Sequence, residues 1–115
     1  MRTAIVLTCA TASNAIYVPV PFECTLLAAT YVASANQGAT KTVVISKPGG
    51  NTIISGDLSG TAGTPTTGTK TATLADAKQV LSPTAPLLIT VNLTGGTAAE
   101  VAFILDFDEF KRTTD

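Results

Sequence analysis

Short apolar runs alternate with turn residues along the whole chain, and this pattern predicts strands rather than helices. The runs are rich in Val, Ile, Leu and Thr, and Gly, Pro, Asn or Ser separates them. The predicted strands are 3–9, 15–20, 24–33, 40–47, 51–57, 68–74, 86–93 and 98–108. Strands of this number and spacing indicate an all-β fold, an antiparallel two-sheet β-sandwich that is jelly-roll-like or, alternatively, immunoglobulin-like.

Three of these segments predict more specific features. Both faces of 24–33 are mostly apolar, with Leu27 and Tyr31 on the same face, which indicates a central or covered strand. The residues 47–51, Lys-Pro-Gly-Gly-Asn, lie between two β runs and predict a hairpin. The segment 98–108 places one apolar row on a single face: Val101, Phe103, Leu105 and Phe107.

Two segments fit the strand pattern poorly. The residues 74–81 are the only plausible helix, but so short a helix is rarely stable alone, so a loop with a short strand is an equal alternative. The residues 59–69, SGTAGTPTTGT, predict a flexible loop without an apolar anchor.

The first fifteen residues allow two interpretations, a secretion signal or the first strand of the fold. A signal needs an uninterrupted apolar run of about 7–15 residues. Here the pure run covers only 4–7, and Thr8 and Cys9 follow at once. The strand interpretation is therefore favoured, and residues 1–22 become a candidate edge strand or arm.

Length and composition favour one domain, 1–115, that is large enough to bury a core. Charged residues are 13% of the chain, about half the usual ~25%, and the net charge is −1. The seven basic residues are scattered, so no nucleic-acid partner is expected. No apolar run approaches the ~20 residues of a membrane span, so no membrane partner is expected either. A surface so poor in charge suits a subunit that is covered in an assembly.

The chemistry-bearing residues give little support to catalysis. The chain has no His, which excludes a Cys/His zinc site and a His-dependent triad. Two buried free thiols, Cys9 and Cys24, are favoured over a disulfide between them, although neighbouring strands would permit the bridge. The segment 63–71 lacks the Lys directly after the second Gly that a P-loop requires, and Asn92 begins a chance glycosylation sequon.

An acidic cluster near the C-terminus, Asp106, Asp108 and Glu109, has two interpretations. The carboxylates could hold Ca²⁺ or act as an acid/base pair. A solvated strand end with ion pairs to Lys111 and Arg112 is favoured instead. No catalytic, metal-binding or cofactor-binding residue is therefore assigned, and the protein is predicted not to be an enzyme.

The most unusual local stretch is 17–22, Tyr-Val-Pro-Val-Pro-Phe. Proline cannot donate to a strand ladder, so Pro19 and Pro21 predict a sheet edge or a bend. Two interpretations can coexist: protection of the edge against unwanted pairing, and an extended arm that packs on a partner.

The order IYVPVPFECTLLAATYVASANQGATKTVVISKPGGNTIISGDLSG, followed by PLLITVNLTGGTAAEVAFILDFDEF, resembles small β-sandwich structural proteins of tailed bacteriophages, above all capsid decoration (cement) proteins. The likeness covers residues 15–108 and is one of rhythm rather than of signature residues. It implies a jelly-roll-like sandwich that binds the outer face of a capsid and stiffens it. The N-terminal strand around 4–9 lies outside this pattern.

The resulting hypothesis is a non-enzymatic virion protein, made in the host cytoplasm and located on the capsid exterior. Its expected partners are the major capsid protein and other copies of itself, with a trimer as one arrangement. The alternatives are a carbohydrate-binding or adhesin module of a phage tail or fibre, and a secreted sandwich with a Cys9–Cys24 bridge. The candidate partner-interface residues lie at edges and ends: Tyr17, Val18, Pro19, Pro21, Phe22, Phe107 and Phe110.

Overall fold

The computed structural model describes residues 2–49, 51–71 and 80–109, and these residues form two antiparallel sheets with no helix. The predicted all-β sandwich is therefore confirmed. The described strands are β1 Arg2–Cys9, β2 Ser13–Val18, β3 Cys24–Ala33, β4 Lys41–Lys47, β5 Asn51–Leu58, β6 Thr66–Thr67, β7 Thr69–Lys70, β8 Leu87–Asn92 and β9 Ala99–Glu109.

The strand order is that of a jelly roll. The first sheet has the order β1-β9-β3-β6, and the second has the order β2-β8-β4-β5-β7. Strands pair from the outside inward along the chain, β1 with β9, β2 with β8, β3 with β6 and β4 with β5. An immunoglobulin-like sandwich places its first two strands in one sheet, whereas here β1 and β2 lie in different sheets.

The first two strands are both edge strands. β1 borders the first sheet and pairs only with β9, in unbroken register from Arg2↔Asp106 to Cys9↔Ala99. β2 borders the second sheet and pairs only with β8. The segment 1–22 thus supplies one edge to each sheet, as far as it is described, rather than a single arm.

β3 contains a bulge that the sequence pattern did not indicate. The register shifts between Leu26, opposite Phe107, and Ala28, opposite Asp106. Leu27 is the extra residue and is 48% exposed, whereas Leu26 and Tyr31 are buried. The prediction that Leu27 shares a face with Tyr31 is wrong, because the extra residue reverses the alternation.

The segment 66–70 joins the two sheets at one corner of the sandwich. β6 pairs with β3 in the first sheet, and β7 pairs with β5 in the second. Gly68 lies between them and donates its N–H to the Ala29 carbonyl at 2.9 Å. Within the predicted strand 68–74, as far as it is described, the structure has only β7, and β6 lies in the segment that was predicted to be a loop. The interpretation of 74–81 falls mostly outside the described residues.

Inward-facing side chains from both sheets form one core. Buried positions alternate along β4, β8 and β9, as the strand period requires. The predicted apolar row of β9 is confirmed, and the Phe103 ring lies 5.8 Å from the Tyr31 ring, centroid to centroid. The predicted hairpin joins β4 to β5, with Gly49 at a φ of 108°.

The segment 59–65 has polar anchors instead of apolar ones. The Gln37 N–H donates to the Gly60 carbonyl at 2.7 Å, and the Gly63 N–H donates to the Ala33 carbonyl at 3.0 Å. The Asn36 side chain accepts from the Ala62 N–H at 2.7 Å. The expectation of a flexible loop overlooked these bonds, because backbone partners leave no sequence signature.

Candidate functional site

The stretch Tyr17–Phe22 divides into exposed and buried side chains. Tyr17 is 60% exposed at the end of β2, and Pro19 and Pro21 are also exposed. Phe22 is half-buried and packs against the core. Three of the predicted contact residues are therefore accessible to a partner.

Two of the predicted contact residues lie in the core. Val18 is 7% exposed and Phe107 is 4% exposed. Each falls on the inward position of its strand, so strand alternation directs the side chain away from any partner. These two residues are corrected to core positions, and Phe110 lies outside the described residues.

The outer side of the first sheet carries an apolar surface that the sequence pattern did not single out. Val6 is 56% exposed on β1 and Ile104 is 46% exposed on β9. The strand registers place Val6, Ala102 and Val32 in one row, and Ala4, Ile104 and Thr30 in the next. We call this surface the β1-β9-β3 face, defined by Ala4, Val6, Val32, Ala102 and Ile104.

A shallow depression lies within this face, where Pro65 of the neighbouring loop rises beside the sheet. Its volume is about 250 Å³, below the roughly 300 Å³ at which ligand pockets begin. No charged side chain lines it. A second open depression on the same face, of about 490 Å³, lies between Val6, Ala102 and Glu100 and does include a carboxylate. The residues that line the first depression are Thr30, Tyr31, Val32, Pro65, Ala102 and Ile104.

Charged groups border the β1-β9-β3 face at its two ends. At one end the Arg2 Nε donates to the Asp106 carboxylate at 2.6 Å. This hydrogen bond, together with the negative charge of Asp106, raises the pKa of the Arg2 guanidinium, which keeps it charged. At the other end Glu100 is exposed, and its backbone N–H donates to the Ser34 hydroxyl at 2.9 Å. The apolar area is thus bounded by polar groups, as at many protein interfaces.

The acidic cluster does not form a cation site within the described residues. Asp106 is engaged by Arg2, and no three His, Cys, Asp or Glu side chains in the described ranges lie close enough together to hold a metal. In the described residues, the ion-pair partner of Asp106 is thus Arg2, from the opposite end of the sequence. The predicted partners Lys111 and Arg112 lie outside the described residues.

The outer side of the second sheet has a different chemistry. Among the residues that alternate with buried Val43, Ile45 and Ile89, some carry hydroxyl groups, Val44 and Leu88 are apolar, and none is charged. Tyr17 stands at the end of this hydroxyl-bearing surface, opposite Leu88 of β8. The hydroxyl residues are Ser13, Thr42, Ser46 and Thr90.

The two cysteines are buried and free, and they cannot bridge within one molecule. Cys9 lies opposite Ala99, and Cys24 lies opposite Glu109, on the two sides of β9. Those β9 positions are about 33 Å apart at the usual rise per residue, whereas a disulfide needs Cα atoms within about 7 Å. Burial raises the pKa of both thiols, which makes them poor nucleophiles. The hypothesis of a Cys9–Cys24 bridge is therefore wrong.

Sequence reasoning missed the β1-β9-β3 face because it assigned the apolar residues of each strand to the core. The signal was present in 101–105, where residues on both faces of one strand are apolar. A strand of this kind is either covered on both sides or exposes one apolar side. Only the topology shows that no described element covers the second side.

Among the residues that the structure describes, none belongs to a helix long and apolar enough to cross a membrane. Comparison of the chain with protein-family models, with curated proteins and with solved structures found no match.

Proposed function

We propose that this protein is a non-enzymatic virion subunit that decorates and stabilises a bacteriophage capsid by binding the outer face of the major capsid protein. The resemblance of residues 15–108 to capsid decoration proteins supplies the class. The observation that carries the proposal is the β1-β9-β3 face, an exposed apolar surface on a chain with few charges. Large exposed apolar patches commonly mark protein-binding surfaces.

The β1-β9-β3 face suits repeated weak contacts on a shell. Its side chains are small or branched and project from three adjacent strands, so they form a broad open surface with shallow depressions rather than an enclosed pocket. A broad apolar surface buries area against another protein surface, and many equivalent sites strengthen the assembly as a whole. The exposed residues Tyr17, Pro19 and Pro21 supply a second contact region on the other sheet.

The test is to mix the purified protein with expanded capsids that lack it and to image the shells by electron cryo-microscopy. We expect one protein density per capsid site and a higher disruption temperature. Ile104→Lys places a charge in the centre of the β1-β9-β3 face and should weaken binding about tenfold or more, since charges are depleted from interface cores.

Thr42→Lys is the matched control, because it adds the same charge at an exposed strand position on the opposite sheet. Equal weakening by both variants would remove the β1-β9-β3 face from the proposal. Bare shells and an unchanged disruption temperature would refute capsid decoration itself.

A second candidate, a carbohydrate-binding or adhesin module, is favoured by one observation. Tyr17 is the single aromatic side chain more than half exposed in the described ranges, and it adjoins the hydroxyl-bearing surface. Sugars stack on such rings and bond to such hydroxyls. Binding on a glycan array that disappears in Tyr17→Ala would support this candidate, and a blank array would refute it.

A further inference from the structure

The described chain has four sheet edges, and three of them are short or interrupted. β6 and β7 are two residues long. β2 has six residues and is followed at once by Pro19. In the turn before β2, the Asn14 side chain donates to the Ala10 and Ala12 carbonyls and accepts from the Ala10 N–H. Short edge strands and prolines are the usual devices that prevent edge-to-edge pairing.

β1 lacks these devices. It has eight residues, contains no proline and keeps an unbroken register with β9. Its only charged residue is Arg2, at one end of the strand, and Arg2 forms an ion pair with Asp106. From Thr3 to Cys9 the strand is uncharged. The alternate backbone N–H and C=O groups that face away from β9 therefore form a template for another strand.

We propose that β1 pairs antiparallel with β1 of a second copy, so that two four-stranded sheets become continuous across a two-fold axis. This inference does not depend on capsid binding. It assigns the edge to self-association and leaves the β1-β9-β3 face available.

The charge pattern of β1 favours a second copy as the occupant. A strand with no charge from Thr3 to Cys9 requires no complementary charge in its partner. Parallel pairing of two copies would bring two Arg2 side chains together, whereas antiparallel pairing places them at opposite ends of the ladder. Two antiparallel registers keep the β1-β9-β3 faces of both copies on the same side of the joined sheet. In these registers Arg2 lies opposite Thr8 or Ala10 of the second copy.

The same registers place apolar residues opposite one another. Val6 then lies opposite Ala4 or Val6 of the second copy. Cross-strand apolar and β-branched pairs stabilise sheets. The β1-β9-β3 faces of the two copies also become one surface of doubled area, which gives the dimer a larger docking face than either monomer has.

The test uses the full chain in sedimentation velocity and light scattering over a concentration series. We expect a dimer that dissociates on dilution. Val6→Lys places two like charges beside each other at the paired edge and should raise the dimer Kd about tenfold or more. Ile104→Lys is the matched control: it adds the same charge on the same surface, one strand away from the edge, and should change the Kd less than about twofold.

Amide hydrogen exchange gives an independent measurement of backbone pairing. The outward-facing amides of β1 should exchange more slowly as the wild-type concentration rises, and Val6→Lys should abolish that dependence. Circular dichroism of each variant verifies the fold.

Three results would overturn the proposal. These are a wild type that stays monomeric at about 1 mM, an oligomer that Val6→Lys and Ile104→Lys weaken equally, and exchange in β1 that does not depend on concentration. Protection of β1 only upon addition of another protein would assign the edge to a foreign strand instead. The capsid-binding test is scored separately, so either proposal can fail alone.

Discussion

Tyr31 combines a well-packed aromatic ring with a buried, unsatisfied hydroxyl group. Its side chain is 1% exposed, and its hydroxyl lies against Gly56 of the opposite sheet and against Gly68, where the chain crosses between the sheets. That hydroxyl has no hydrogen-bond partner among the described residues. A buried hydroxyl without a partner loses its hydration and gains nothing in return, at a cost of about 1–3 kcal/mol. The aromatic ring stabilises the core while the oxygen atom destabilises it.

We expect Tyr31→Phe to raise the free energy of unfolding by about 1 kcal/mol, since the ring remains and the unpaired oxygen is removed. Chemical denaturation monitored by circular dichroism measures the change. Tyr17→Phe is the matched control, because the Tyr17 hydroxyl is solvated and its loss should have little effect. A destabilised Tyr31→Phe protein would mean that the hydroxyl has a stabilising partner.

At the scale of the element, the segment 66–70 determines how the sandwich closes at one corner. The chain passes from the first sheet to the second within five residues, and Gly68 is the residue at the crossing. A Cβ atom on Gly68 would collide with Cγ2 of Ile54 and contact the Tyr31 ring. Only glycine lets the backbone approach both sheets so closely.

We expect Gly68→Ala to lower the free energy of unfolding by about 1–3 kcal/mol, because the added methyl group overpacks the core. Thr69→Ala, at the neighbouring exposed position, should change stability by less than about 0.5 kcal/mol. The cause is tested by a double-mutant cycle with Ile54→Ala, which removes the colliding atom. If the two substitutions were simply additive, the collision would not be the cause.

At the scale of the whole molecule, three buried groups with an acidic proton are distributed over one core. Burial raises the pKa of Cys9, of Cys24 and of Tyr31, and the negative charge of Asp57 adds to the effect on Tyr31. All three groups ionise more readily in the unfolded chain. As the pH rises, the unfolded state loses these protons first, so alkaline solution favours unfolding.

We therefore expect the free energy of unfolding to be constant near neutral pH with respect to these groups and to fall above about pH 8.5, where unfolded cysteines ionise. The fall should steepen above about pH 10, where unfolded tyrosine ionises. Denaturation at a series of pH values measures the profile. Tyr31→Phe should flatten the upper part of the profile. A free energy of unfolding that stays constant up to pH ~11 would contradict the burial of these groups.

The sequence was sufficient for the fold class and for the features set by local pattern. Alternating apolar positions predicted the β9 row, and the Pro-Gly-Gly-Asn turn predicted the β4–β5 hairpin. The bulge at Leu27 and the crossing at Gly68 depend on pairing with distant strands, so no local pattern reports them. For the same reason the sequence pattern placed Phe107 at an interface and did not place Val6 there, although Phe107 is buried and Val6 is exposed. Burial depends on which elements pack against each side of the sheet.

The pairing of the first strands with the distant β8 and β9 has a consequence for the order of folding. Arg2 pairs with Asp106, and Ser13 pairs with Asn92. On the ribosome, β1 and β2 are therefore made long before the strands that they join. β2 stays unpaired until β8 has been synthesised, and β1 until β9 has been synthesised. Folds with such long-range pairing form slowly, because loop closure must precede the contacts that stabilise it. The open edge of β1 is most vulnerable to wrong partners during that interval.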